Sequence, residues 1–144
     1  MRSDLLTDPH QLVVATLARL ESRLREGDLH GAVACFVPDG AIYGADLGEE
    51  AHGTEELTSF LEAVLDHGLS IGWDVEETWV RSSGEHLWFV ATATVVLRDG
   101  EAEVSREPLR MSGILRGSRG YYRFELFNGT QPLTRPALRL VGSH

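Results

Sequence analysis

From Ile71 to Asn128 the chain is written almost entirely in alternating, β-branched and aromatic runs, broken at Ser82–Gly84, Asp99–Gly100 and Gly117–Gly120. Four strands fit between the breaks, at Ile71–Arg81, Leu87–Leu97, Glu101–Leu115 and Tyr121–Asn128. Parallel neighbours need a crossover of about a dozen residues or more, and these turns are too short for one. The strands must follow one another as an antiparallel sheet, and the segment before them has to supply the layer that covers it.

That segment reads as helices. Asp8 can cap and Pro9 fits a first turn, after which Val13, Leu17, Leu20 and Leu24 recur on one face until Gly27. Asp28 can cap a second, shorter helix that carries Leu29, Ala32, Val33 and Phe36 and stops at Pro38. Ala41–Tyr43 reads as a short strand. A third helix, capped by Gly53 or Thr54, has Leu57, Phe60, Leu61, Val64 and Leu65 as its apolar stripe and ends at Gly68. Helices grouped before an antiparallel sheet make an α+β fold rather than βαβ units, and 144 residues with 42% hydrophobic content make one domain spanning 1–144.

A period of two assigns the strand faces. Along Leu87–Leu97, the set Leu87, Phe89, Ala91, Ala93, Val95 and Leu97 is wholly apolar, while Trp88, Val90, Thr92, Thr94 and Val96 are mixed. The mixed face is too apolar for free solvent, so a partner subunit is expected to cover it. Tyr122, Phe124, Leu126 and Asn128 are assigned to the interior, and Ile71, Trp73, Val75 and Trp79 share one side of the first strand with Glu77. The third strand sets Leu109, Met111, Gly113 and Leu115 against Arg110, Ser112 and Ile114; a bulge would swap its faces.

Charge and residue usage remove several function classes. A formal charge of -9 repels phosphate backbones and anionic lipid, which disfavours nucleic-acid and membrane partners. Every basic residue is an arginine, so Schiff-base chemistry has no lysine to use. Cys35 is the single cysteine, which rules out an intrachain disulfide and a cysteine-based zinc site and reads as a buried structural thiol. No run approaches the length of a signal or spanning segment, and the expected location is the cytoplasm. The chain has no Gly-x-Ser-x-Gly elbow, phosphate loop or dinucleotide fingerprint, and no cofactor is expected.

The stretch "IYGADLGEEAHGTEEL" (42–57) places Asp46, Glu49, Glu50 and His52 together. It lacks the alternating oxygen ligands of a calcium loop, and the six histidines show no ligand spacing, so no metal is expected. The stretch reads as a strand end, an acidic turn between glycines and a helix start.

The same stretch carries a resemblance. "PDGAIYGADLGEEAHGTEEL" is similar to the SnoaL-like pattern in which a strand runs into Gly-x-Asp-x-Gly-Glu and a glycine opens the third helix, here Gly44, Asp46, Gly48, Glu49 and Gly53. "LRMSGILRGSRGYYRFELFNGTQP" resembles the family's later strands, with Arg110 and Ser112 in the place of its arginine-x-threonine. Tyr122 stands there for a tryptophan, Asn128 for a histidine and Thr130 for a serine. The resemblance runs from Asp8 to Pro132 and places the chain in the nuclear transport factor 2 and ketosteroid isomerase-like superfamily. It implies a cone-shaped, cystatin-like α+β roll with three N-terminal helices packed on a curved, mixed, mostly antiparallel sheet. It further implies a homodimer through the sheet face and a small, largely apolar organic ligand between helices and sheet. Ketosteroid isomerases place an aspartate base where this chain has Tyr43-Gly44-Ala45, which argues against that activity.

Within this frame Tyr43, Trp73, Phe89, Met111, Phe124 and Asn128 are the expected ligand contacts; the apolar ones either line a cavity or fill it. If the chain is an enzyme, isomerase, cyclase or lyase chemistry without a cofactor would use Asp46 as base and Tyr43 as donor. Asp46 can equally cap its own turn, Tyr43 can be a core tyrosine, and Asn128-Gly129 can supply only a turn. Arg110 is expected to pair with Glu77 or Glu125, and His86 to sit on the surface beside a turn. The alternative to ligand binding is a non-catalytic scaffold or interaction domain. The end of the chain, from Thr134 to His144, reads as a small extra strand or a tail over the dimer face.

Overall fold

The computed structural model describes residues 8–45 and 47–131, the side chain of residue 118 aside. The element order is α1 (Pro9–Arg25), α2 (Leu29–Val33), β1 (Phe36–Tyr43), β2 (Glu50–His52) and α3 (Gly53–Leu65), then β3 (Ser70–Ser83), β4 (His86–Asp99), β5 (Ala102–Ser118) and β6 (Tyr121–Thr130). The six strands form one sheet in the order β2-β1-β6-β5-β4-β3. All neighbours are antiparallel except β1 and β6, which run parallel, so the fold is the mixed α+β roll expected. The expectation for Thr134 to His144 lies outside the described residues.

Local chemistry sets the helix ends. The Asp8 carboxylate accepts from the His10 N–H at 3.0 Å, and Asp28 accepts from the Gly31 N–H at 2.8 Å. Val13, Leu17 and Leu20 then face the sheet with at most 2% exposure, each contributing roughly 1.5–3 kcal/mol of burial. At α3 the cap is His52, one residue earlier than expected. Its backbone N–H donates to Glu56 Oε1 at 2.8 Å, so a first-turn carboxylate satisfies the donor at the helix start.

The second helix is shorter than its periodicity suggests. It ends at Val33, and Phe36 begins a strand that runs through Pro38 to Tyr43. Val37 precedes a proline and is biased to extended backbone, while Pro38 sits where the β1–β6 register shifts and no ladder donor is required. Cys35, between helix and strand, is 2% exposed and its Sγ donates to the Gly31 carbonyl at 3.4 Å. Burial raises its thiol above the ordinary range, against the nearby Arg19 guanidinium, which pulls the other way.

Two bulges overturn part of the face assignment. In β3 the register shifts between Val75 and Glu77. Trp73 and Val75 face inward before it, Thr78 and Val80 after it, and Trp79 turns to the outer face with 51% exposure. In β6 the shift falls between Phe124 and Leu126. From there Phe127 and Gly129 look inward, and Leu126 and Asn128 look outward. Gly113 makes this approach feasible, because a Cβ built on it would fall on the Leu126 carbonyl oxygen.

Candidate functional site: a cavity at one end of the roll

The inner face of the sheet is divided along its length. Toward the β3–β4 and β5–β6 turns it is solid: Leu87, Phe89, Met111, Leu115 and Phe124 are all at most 2% exposed. Phe124 stacks at 5.3 Å from Phe36, 6.3 Å from Phe89 and 5.3 Å from Phe127. At the opposite end, where β3 starts and β4 finishes, side chains stop filling the space and leave a cavity of about 490 Å³. Its helical wall is Leu20, Leu24, Phe60, Leu61 and Val64. The sheet supplies Ile42, Ile71, Trp73, Val95, Leu97, Leu109 and Phe127, and the polar rim is Tyr43, Glu49, Ser105, Glu107 and Gln131.

The expected contacts therefore divide. Tyr43 and Trp73 line the cavity. Phe89, Met111 and Phe124 belong to the solid core and are absent from the lining. Asn128 is carried to the outer face by the β6 bulge, where its amide donates to Ser112 Oγ at 3.4 Å. Asp46, the expected base, lies outside the described residues. Helix residues Phe60, Leu61 and Val64 and strand-end residues Val95, Leu97 and Leu109 were legible only as core stripe. Their signal is register: they are the inward positions nearest one common end of the strands.

Tyr43 borders the rim, yet its hydroxyl shares a hydrogen bond with His52 Nε2 at 3.1 Å, and His52 Nε2 lies 3.1 Å from Glu50 Oε2. The Tyr43 and His52 rings meet edge to face at 5.3 Å. Ile42 and Ala51 are the buried pair of the β1–β2 ladder, so Tyr43, Glu50 and His52 occupy its other face. The hydroxyl is thus engaged away from the apolar interior. Gly44 has a local reason: a Cβ there would meet the Glu49 side chain at 2.5–3.2 Å, and the Gly44 N–H donates to the Glu49 carbonyl at 2.6 Å. Gly44 lets Glu49 fold back against the rim.

Trp73 is held firmly. Its backbone N–H donates to Glu21 Oε2 at 2.8 Å, and Arg25 pairs with that same oxygen at 2.9 Å, tying α1 to the start of β3. The indole is 7% exposed, and its Nε1 has no hydrogen-bond partner among the described residues. Other charges lie elsewhere. Glu125 pairs with Arg116 at 3.5 Å and with His86 at 3.3 Å, so it is not the partner expected for Arg110, which forms no ion pair among the described residues. No group of three potential ligands able to hold a metal ion occurs among the described residues. None of their helices is long and apolar enough to cross a membrane.

A family model for the SnoaL-like domain matches residues 13–128. The chain belongs to the SnoaL-like family. Solved structures share the cystatin-like fold of this SnoaL-like chain. A protein of unknown function with a cystatin-like fold from Nostoc punctiforme superposes with a TM-score of 0.70 at 21% identity, covering 89% of this chain and 94% of that one. ActVI-ORFA from Streptomyces coelicolor gives 0.71 at 19% identity, with 85% and 96% covered. Aln2 from another Streptomyces species gives 0.70 at 16%, with 94% and 95% covered. At these identities the likeness concerns the fold alone. No curated protein matches the chain.

Proposed function

We propose that this SnoaL-like protein binds a small, largely apolar organic molecule in the cavity between α1, α3 and the open end of the sheet. The observation that carries the reading is the cavity itself: about 490 Å³, walled mainly by aliphatic and aromatic side chains and rimmed by a few polar ones. That combination of size and lining is typical of ligand sites.

The same reading includes a homodimer paired through the outer sheet face. Trp79 and Trp88 are 51% and 50% exposed there, beside Val90, Ile114 and Leu126 on neighbouring strands. Such an apolar face is costly to leave in water. Cytoplasmic residence fits a lone cysteine kept as a free, buried thiol.

Thermal melting tests the binding reading. A neutral aromatic such as N-phenyl-1-naphthylamine should raise the melting temperature of the native protein and leave that of Val64→Phe, which fills the helical wall, unchanged. Equal shifts in both proteins would place binding outside the cavity.

A further inference from the structure

We propose a second binding site, apart from the cavity: a cleft between α2, the start of β1 and the first turns of α3 that takes a free aliphatic monocarboxylate, with its head on Arg123. The cleft measures about 360 Å³, within the range of small-ligand pockets, and shares no lining residue with the cavity at the open end of the roll. Leu29, Val33, Phe36 and Pro38 give it an apolar floor, and no carboxylate lines it among the described residues. The net charge of -9 is screened beyond about 8 Å at physiological salt, so the groups beside the cleft decide which ligand it takes.

The backbone puts Arg123 in this cleft. The Phe124 N–H donates to the Cys35 carbonyl at 2.8 Å, which holds the start of β6 against the junction of α2 and β1. The Arg123 side chain is half-buried, and its guanidinium forms neither an ion pair nor a hydrogen bond among the described residues. The carboxylates nearest in the fold are engaged elsewhere: Asp28 with the Gly31 N–H and Arg23, Asp39 with Arg116, Glu56 with the His52 N–H, and Glu125 with Arg116 and His86. On its other side Arg123 borders a notch that contains Glu85, and no ion pair joins the two. A guanidinium only donates, and a carboxylate can accept two of its N–H groups at once. The remaining polar side chains ask little of a ligand. The Thr54 hydroxyl donates to the Pro38 carbonyl at 3.2 Å and the Thr58 hydroxyl to the Thr54 carbonyl at 2.7 Å, while His30, exposed in the lining, brings no negative charge. The ligand that fits has one anionic head and an apolar body without further acceptors.

Titration of the labelled protein with octanoate, followed in ¹H–¹⁵N spectra, tests the site. Octanoate should shift the Arg123 Nε–H and the backbone amides of Ala34 and Thr58 saturably. Read at the Thr58 amide, it should bind at least about tenfold more tightly than 1-octanol, the margin that a hydrogen bond to a charged group supplies. Arg123→Gln, with circular dichroism confirming its fold, should erase that margin, and Arg123→Lys should restore part of it. Thr58→Phe, which fills the cleft, should abolish the shifts, whereas Val64→Phe, which fills the separate cavity, should leave them intact. Equal affinity for octanoate and 1-octanol, or an octanoate affinity unchanged in Arg123→Gln, overturns the assignment of Arg123 as the anion's partner. Octanoate shifts confined to Leu61, Val64 and Leu109, and lost in Val64→Phe, overturn the second site and leave the cavity standing. No saturable shift at the Arg123 Nε–H overturns the proposal outright.

Discussion

Gly113 on β5 pairs with Phe127 on β6 one step past a bulge, and their close approach decides which side of β6 looks into the roll. Without the extra residue at Glu125, Asn128 would face the interior and Phe127 the outside. The bulge instead puts the Phe127 ring in the cavity wall and Gly129 beside it.

Gly113→Ala therefore forces a methyl group onto the Leu126 carbonyl, where only backbone can move. Overpacking of this kind typically costs about 1–3 kcal/mol. The expected outcome is a lower urea midpoint, with loss of dye binding as Phe127 shifts. An unchanged midpoint would mean that β6 does not pass as closely as described.

The outer face gives a second expectation. Trp79→Glu combined with Trp88→Glu places two charges where Val90, Ile114 and Leu126 are the neighbours. Sedimentation at micromolar concentration should show a dimer for the native protein and a monomer for the double variant. A monomeric native protein would rule out the dimer.

Cys35 provides a pH expectation. Burial holds its thiol neutral and raises its pKa above the ordinary value of 9.0. Because the folded value exceeds the unfolded one, the stabilising contribution is complete below about pH 9 and is lost as pH rises through the folded value. Cys35→Ser should flatten the alkaline fall in stability, and a thiol reagent at about pH 8, below the ordinary thiol range, should label the native protein far more slowly than the urea-unfolded chain. Rapid native labelling would contradict the buried placement.

Much of the fold is legible in the sequence because its signals are local. The Asp8 and Asp28 caps, the stripe Val13, Leu17, Leu20, Leu24 and the turns at Gly84 and Gly100 each follow from short-range chemistry. The β1 strand was hidden because Phe36 and Val37 look helical until β6 supplies a parallel partner. The face of Asn128 and of Trp79 depended on single-residue bulges, which a period of two cannot reveal and which invert everything beyond them. The candidate site failed in part for a different reason. Phe89, Met111 and Phe124 have the right residue type and face, yet whether an apolar side chain lines a space or fills it depends on how far α1 and α3 extend over the sheet. Trp73 was legible because it stands on the open side of that divide.

If the open end of the roll takes an apolar ligand, Trp73 can report on it directly. In a Trp79→Phe, Trp88→Phe protein, Trp73 is the sole tryptophan. Titration with N-phenyl-1-naphthylamine should quench its emission saturably, with one dye per chain, and Val64→Phe combined with Leu109→Phe should abolish the quenching. Unsaturable quenching, or quenching that survives the filled variant, would contradict a ligand site in this cavity.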